Sequence, residues 1–218
     1  KAGDGRFISK KIFKSKPILS LNVHNQYGYS NILLKALQNR SLLYVIMMRD
    51  PFYLIKEWHK GNWVKRIGKD ERDFHLSINF NGKIIPWFTK EYASDYIKAN
   101  DLEKSILTVY QLYKRIFFMH KSSNHKEKQN TLIVFFEDLY NYPDLYVDKI
   151  CIKINTKRNK QFNTKIKDLI LHKGKKNLIT TFDQFKLKYS KTISPKYNKM
   201  IIELNTLYLD FYSSNKLV

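Results

Sequence analysis

Residues 42–59 read LLYVIMMRDPFYLIKEWH, and this stretch decides the fold. Leu42, Leu43, Tyr44, Val45, Ile46, Met47 and Met48 form an apolar run about one strand long with no polar alternation. Such a run suits a central strand covered on both faces. It stops at Arg49-Asp50-Pro51. Proline lacks a backbone donor and restricts the residue before it, so a buried strand cannot continue through this point. Asp50 can cap a helix, and Pro51 suits its first position. The local expectation is strand, basic residue, capped turn, helix, with Phe52, Ile55 and Trp58 inside the helix and its end near Gly61. In open α/β sheets, ligands bind at the carboxyl ends of strands, where Arg49 would stand.

Working towards the amino end, residues 29–38 place Ile32, Leu33, Ala36 and Leu37 at helical spacing, and residues 17–23 (PILSLNV) read as a short strand. Strand, helix, strand is a βαβ unit, and its right-handed crossover makes the strands parallel. His24 and Arg49, each just past a strand end, become expected neighbours on one rim. Residues 1–16 are basic, broken by Gly3 and Gly5, with no clear period.

Towards the carboxyl end, residues 62–87 show no convincing period and read as a long excursion over the rim, with Asn81-Gly82 as a tight turn. Its aromatic residues between Trp58 and Trp87 could stack on a sugar or another apolar ring. A tolerated surface insertion fits the same pattern. Asn100 and Glu103 carry the signature of a helix start, and apolar residues then recur from Leu102 to Phe117 in a helix reaching about His120. Residues 131–136 (TLIVFF) form a second buried strand, ending in Glu137-Asp138-Leu139, and Pro143 opens a helix through Ile152. Further helices are expected over 164–171, 179–187 and 196–212.

The 218 residues are long enough for one well-buried domain spanning 1–218, and 43% apolar content argues for a globular core. The net charge of +21 would attract nucleotides, sulfated or phosphorylated substrates, or anionic membrane surfaces. Only seven of the 40 basic residues are arginine, and Asn and Ile are also abundant. That combination fits a bias of the coding sequence as well as a selected binding surface. Cys151 is the single cysteine, which excludes an intramolecular disulfide and a cysteine zinc cluster and fits a reducing, cytoplasmic compartment. No apolar run approaches the roughly 18 residues of a membrane span.

Neither GxxxxGK[ST] nor a GxGxxG after a strand is present, and HExxH and GxSxG are missing too. Histidines at 24, 59, 75, 120, 125 and 172 place no two on one helical face as a metal pair, so no metal is expected. Arg49 beside a helix start suits a phosphate, because its planar donors bind oxygens in pairs. The alternative is that Arg49 pairs with Asp50 or Glu57 to hold the turn.

Strand-Arg49-Asp50-Pro51-helix, followed by strand-Glu137-Asp138-Leu139, Pro143 and a helix, resembles the sulfotransferase family over roughly residues 17–151, with a weaker echo later. The resemblance implies a P-loop-like α/β fold, with a parallel sheet flanked by helices. It also implies direct in-line transfer of a sulfuryl group from 3′-phosphoadenosine 5′-phosphosulfate (PAPS) to a hydroxyl or amine acceptor, such as a small molecule or carbohydrate. By that resemblance Arg49 contacts the 3′-phosphate, and the Glu137–Asp138–Leu139 turn is structural. His24 takes the place of the general base, a role histidine suits near neutral pH. Lys173-Gly174 is faintly similar to a late segment touching the same phosphate, but it lacks that segment's arginine, and a solvated lysine run explains it better. Glu57 stands where the family has a phosphate-binding serine, and a carboxylate there must turn away from the anion. The family's N-terminal 5′-phosphosulfate loop is not recognisable, which implies a truncated copy or a relative that has abandoned the cofactor. A non-catalytic basic module binding a polyanion (nucleic acid, sulfated glycan or anionic membrane) is the alternative, although no nucleic-acid motif appears. A relative using a different donor, of glycan-processing or kinase-like type, is a third reading.

Overall fold

A computed structural model of the chain describes residues 5–15, 43–67, 69, 77–158 and 181–217. Helix α1 (Gly5–Ser15) comes first. Strand β1 (Tyr44–Met48) leads through Arg49 and Asp50 into α2 (Pro51–Lys60). One turn of helix, α3 (Trp63–Arg66), precedes the antiparallel hairpin of β2 (Ser77–Phe80) and β3 (Lys83–Pro86). A 3-10 segment (Trp87–Tyr92) and α4 (Ala93–Lys98) then lead to the long α5 (Asp101–Ser122). After α6 (His125–Gln129), strand β4 (Thr131–Phe135) runs into α7 (Phe136–Asn141) and α8 (Pro143–Lys153). Helices α9 (Phe182–Tyr189) and α10 (Pro195–Asn215) complete the described residues.

The architecture is α/β and mostly helical, and β1 and β4 pair in parallel with Met48 opposite Phe135. The expected strand 17–23, helix 29–38 and helix 164–171 lie outside the described residues, as do His24, Lys173 and Gly174.

Local chemistry sets the boundaries. Asp50 Oδ1 accepts the Tyr53 N–H at 2.6 Å, and Pro51 occupies the first turn of α2. Asn100 and Glu103 form the expected reciprocal cap on α5. The Asn81-Gly82 turn is real: both residues have positive φ, 49° and 75°, which suits a tight hairpin. The excursion over 62–87 is therefore partly regular, holding α3 and the hairpin. Its short strands escape detection because each is only four residues long.

Two expectations are corrected. Strand β4 is buried throughout, but β1 is not covered on both faces: Val45 and Met47 are 44% and 51% exposed, while Ile46 and Met48 are buried. The second face of the pair is covered mainly on the β4 side, by Tyr146 against Leu132 and Val134. Residues 5–15, read as aperiodic, form α1; Phe7, Ile8 and Phe13 do not make a single apolar stripe, so no helical period stands out.

The main core lies on the other face of the sheet. Ile46 and Met48 pack there with Phe52 and Ile55 of α2, the buried length of α5, and Ile201, Leu204, Tyr208 and Phe211 of α10. Phe135 meets Tyr212 with ring centroids 4.6 Å apart, and Phe117 meets Phe211 at the same separation. Phe52 is held between Phe182 and Phe185 at 5.4 and 5.5 Å, which seats α9 on α2. Burial of these aromatic and aliphatic side chains is the main stabilising term.

Candidate functional site

Because β1 and β4 are parallel and in register at their ends, the Arg49-Asp50 turn and the Phe136-Glu137-Asp138 turn emerge side by side. The two halves of the sequence pattern meet here. The Asp50 backbone N–H donates to Glu137 Oε1 at 3.1 Å. The Tyr113 hydroxyl, from α5, donates to the Arg49 carbonyl at 2.5 Å. Asp138 accepts the Tyr212 hydroxyl on both oxygens, at 2.9 and 3.1 Å, and the Tyr146 hydroxyl at 3.2 Å. Hydroxyls from α5, α8 and α10 thus lock the rim to the helices around it.

Arg49 sits at the centre. Its guanidinium carbon lies 4.2 Å from the Tyr53 ring centroid and 4.4 Å from that of Phe136. Its Nε is 4.0 Å from Glu137 Oε1 and, like Glu137 Oε2, is buried without a hydrogen-bond partner. The side chain still keeps 29% of its surface exposed. Two aromatic faces attract the cation and fix the plane of its donors. Lys56 lies 4.6 Å from the same Tyr53 ring and is a second cation of this region.

Asp50, Glu137 and Asp138 are each only 8% exposed. Burial, reinforced by the neighbouring Glu137 charge and opposed by the Tyr53 N–H, pushes the Asp50 carboxyl up to about 6. Burial also raises Glu137, against the bond from the Asp50 N–H and the Arg49 charge. The Tyr113 and Tyr208 hydroxyls are driven upward by burial first, with the Glu137 and Asp50 charges adding to it, so both stay protonated. Each carboxylate is engaged inward, by a helix cap, a backbone N–H or tyrosine hydroxyls.

Of the residues proposed from sequence, Arg49 occupies the rim as expected. Its acidic neighbour is Glu137, not Asp50 or Glu57. Glu57 is half-buried on α2 and forms no ion pair with Arg49. Trp58 and Trp87 are partly buried against the main core, whereas Trp63 is exposed and carries the Arg66 guanidinium 4.4 Å from its ring centroid. The stacking partners Tyr53 and Phe136 were not singled out from sequence. Their signals were the spacing of Tyr53 four residues after Arg49, and the position of Phe136 directly before Glu137.

Among the described residues, no group of three or more His, Cys, Asp or Glu side chains is arranged to hold a metal ion. No described helix is long and apolar enough to cross a membrane. No family model, curated protein or solved structure matches the chain.

Proposed function

We propose that this chain is a sulfotransferase-like protein with a P-loop-like α/β fold, in which Arg49 binds the 3′-phosphate of PAPS. The observation that carries the reading is the pairing of the two turns on one rim. Arg49 leaves β1 beside the Glu137-Asp138-Leu139 turn that leaves β4, at the carboxyl ends of parallel strands.

The residues present fit an anion. Arg49 Nε is buried without a hydrogen-bond partner, the guanidinium carbon lies over two aromatic rings, and the side chain still reaches solvent. Asp50 and Asp138 are engaged by the Tyr53 N–H and by tyrosine hydroxyls, and Glu137, which accepts the Asp50 N–H, stands 4.0 Å from Arg49 Nε and leaves the exposed part of the guanidinium for an anion. PAPS, when bound, supplies the sulfuryl group. Arg49 orients the nucleotide through its phosphate, and fixing that group contributes the positional part of catalysis. His24 accepts the acceptor hydroxyl's proton in this reading, and Lys173-Gly174 adds a second contact to the phosphate. A hydroxyl or amine acceptor, such as a carbohydrate, completes the reaction.

Calorimetric titration with 3′,5′-adenosine bisphosphate tests the reading. The intact chain binds, and Arg49→Lys, which keeps the charge but loses the planar pair of donors, weakens binding by about tenfold. Glu57→Ser, which removes a carboxylate from α2 and restores a donor, tightens it. No binding by the intact chain, or equal binding by Arg49→Lys, removes the cofactor assignment.

The +21 charge supports a second reading, a non-catalytic module for a polyanion. It requires an affinity that falls linearly with salt on logarithmic axes and barely responds to Arg49→Lys.

A further inference from the structure

The ion pair on the rim is not closed. Arg49 Nε lies 4.0 Å from Glu137 Oε1, too far for a hydrogen bond, and Oε1 already accepts the Asp50 N–H at 3.1 Å. The other oxygen, Oε2, is buried without a hydrogen-bond partner, and so is Arg49 Nε. The Glu137 side chain is only 9% exposed, whereas that of Arg49 keeps 29%. The fold thus leaves one N–H donor and one carboxylate acceptor unsatisfied on neighbouring residues, beneath a guanidinium that reaches solvent. Each of these atoms loses its water without gaining a replacement bond, which is costly for a buried polar group.

An ion that satisfies both atoms must accept from Arg49 and donate to Glu137. A phosphate can do so: the second ionisation of a phosphate ester lies at about 6, so near neutrality it can carry an O–H, and inorganic phosphate keeps one. A sulfate carries no proton there and meets Glu137 with like charge alone. We infer that Glu137 makes the Arg49 site selective for phosphate over sulfate, by accepting a hydrogen bond from a phosphate O–H on Oε2. A site built to accept a hydrogen bond rejects the analogue that lacks the donor. The inference rests on the reading that Arg49 binds a phosphate, and it adds what keeps a sulfuryl group or free sulfate out of that place.

The surroundings single out Glu137 for this task. Asp50 Oδ1 accepts the Tyr53 N–H, and Asp138 accepts the Tyr146 and Tyr212 hydroxyls, which leaves Glu137 Oε2 as the acceptor beside Arg49. Arg49 and Asp50 act on Glu137 from the turn after β1, Asp138 from its own helix, Tyr113 from α5, and Tyr208 and Tyr212 from α10. Lys56 of α2 acts on the neighbouring Asp50. Burial raises the Glu137 carboxyl above its usual range, against the Asp50 N–H and the Arg49 charge. A carboxylate so placed accepts a short, charge-assisted hydrogen bond from a phosphate O–H.

Calorimetric titration of the full chain with inorganic phosphate and with sulfate, at equal ionic strength and about pH 7.5, tests the inference. The parent chain should bind phosphate at least about tenfold more tightly than sulfate. Fluorophosphate, which has the same charge as hydrogen phosphate but fluorine in place of the O–H, should bind as weakly as sulfate. Glu137→Gln keeps an oxygen for the Asp50 N–H and turns the other group into a donor, so it should bind phosphate and sulfate within about threefold of each other. Urea denaturation checks that this variant is folded, and the three ions on the parent chain decide the matter without it.

Equal binding of phosphate and sulfate by the parent chain overturns the inference. So does fluorophosphate bound as tightly as phosphate, or full selectivity in folded Glu137→Gln. Titration with 3′,5′-adenosine bisphosphate separates this inference from the cofactor reading. A chain that binds the bisphosphate without preferring phosphate to sulfate loses this inference alone. One that prefers phosphate but does not bind the bisphosphate keeps it and loses the cofactor. One that binds neither ion nor the bisphosphate loses both.

Discussion

Asp50 performs three tasks within a few ångströms. It ends β1, caps α2 through Tyr53, and receives Glu137 on its backbone N–H. Burial next to another carboxylate raises its proton affinity from 3.8 to about 6. The folded state therefore holds a proton more tightly than the unfolded chain. That contribution to stability is fully present below about pH 4 and is lost as pH rises through about 6, where Asp50 ionises in both states. Glu137 acts in the same direction. Asp50→Asn keeps an oxygen for the cap and removes the charge, so it should flatten the pH dependence across that window. It should also stabilise the protein near neutrality by on the order of 2 kcal/mol. Urea denaturation of both chains from about pH 4 to about pH 7 checks this; a variant that is less stable at neutral pH would show that the Asp50 charge is needed where it stands. Arg49 is the other decisive residue. In the proposed cofactor reading, its contacts with the Tyr53 and Phe136 rings are the reason that lysine, without a planar face, should bind phosphate less well there.

At the scale of elements, Glu103 joins two helices. One carboxylate oxygen accepts the Asn100 N–H at the start of α5, at 3.2 Å, and the other accepts the Ser194 N–H at the start of α10, at 2.8 Å. Asn100 also donates to the Thr192 carbonyl, so the two helix starts are stitched together across more than 90 residues of chain. Glu103→Ala removes both backbone caps at a buried position. It should cost roughly 2 kcal/mol of unfolding free energy. A surface carboxylate on the same helices, Asp210, makes no such pair of caps, and its alanine variant should stay within about 0.5 kcal/mol of the parent. Tyr113→Phe, which leaves the Arg49 carbonyl without its hydroxyl donor, should cost about 1 kcal/mol, read from the same denaturation curves.

For the molecule as a whole, α10 is the element that closes the fold. It lays Ile201, Leu204, Tyr208 and Phe211 against α5 and β4, and Tyr212 reaches Asp138 on the rim. Leu204 is fully buried, so Leu204→Ala should destabilise the protein by about 3 kcal/mol. Phe135, in contact with Tyr208, Phe211 and Tyr212, should lose about 4 kcal/mol on replacement by alanine. Thermal and urea unfolding with coincident transitions by fluorescence and circular dichroism would show that the described sheet and helices unfold as one unit.

Much of this was legible from residue order. The Arg49-Asp50-Pro51 boundary, the Asn100 and Glu103 cap, the Asn81-Gly82 turn and the buried run of β4 are each set by chemistry within a few residues, so neighbours in sequence suffice to read them. The class of fold followed from those same boundaries. Everything that depends on residues distant in sequence had to wait for the tertiary structure. Arg49 takes Glu137 as its acidic neighbour instead of Asp50 or Glu57, because parallel pairing of β1 and β4 carries the second turn to the first. The apolar run of β1 is half exposed because burial is conferred by what packs above a strand, and composition cannot specify that. Likewise, Phe136 becomes a stacking surface only once the two strand ends stand side by side. Local propensity wrote the punctuation of this chain, and long-range packing decided which turns face each other.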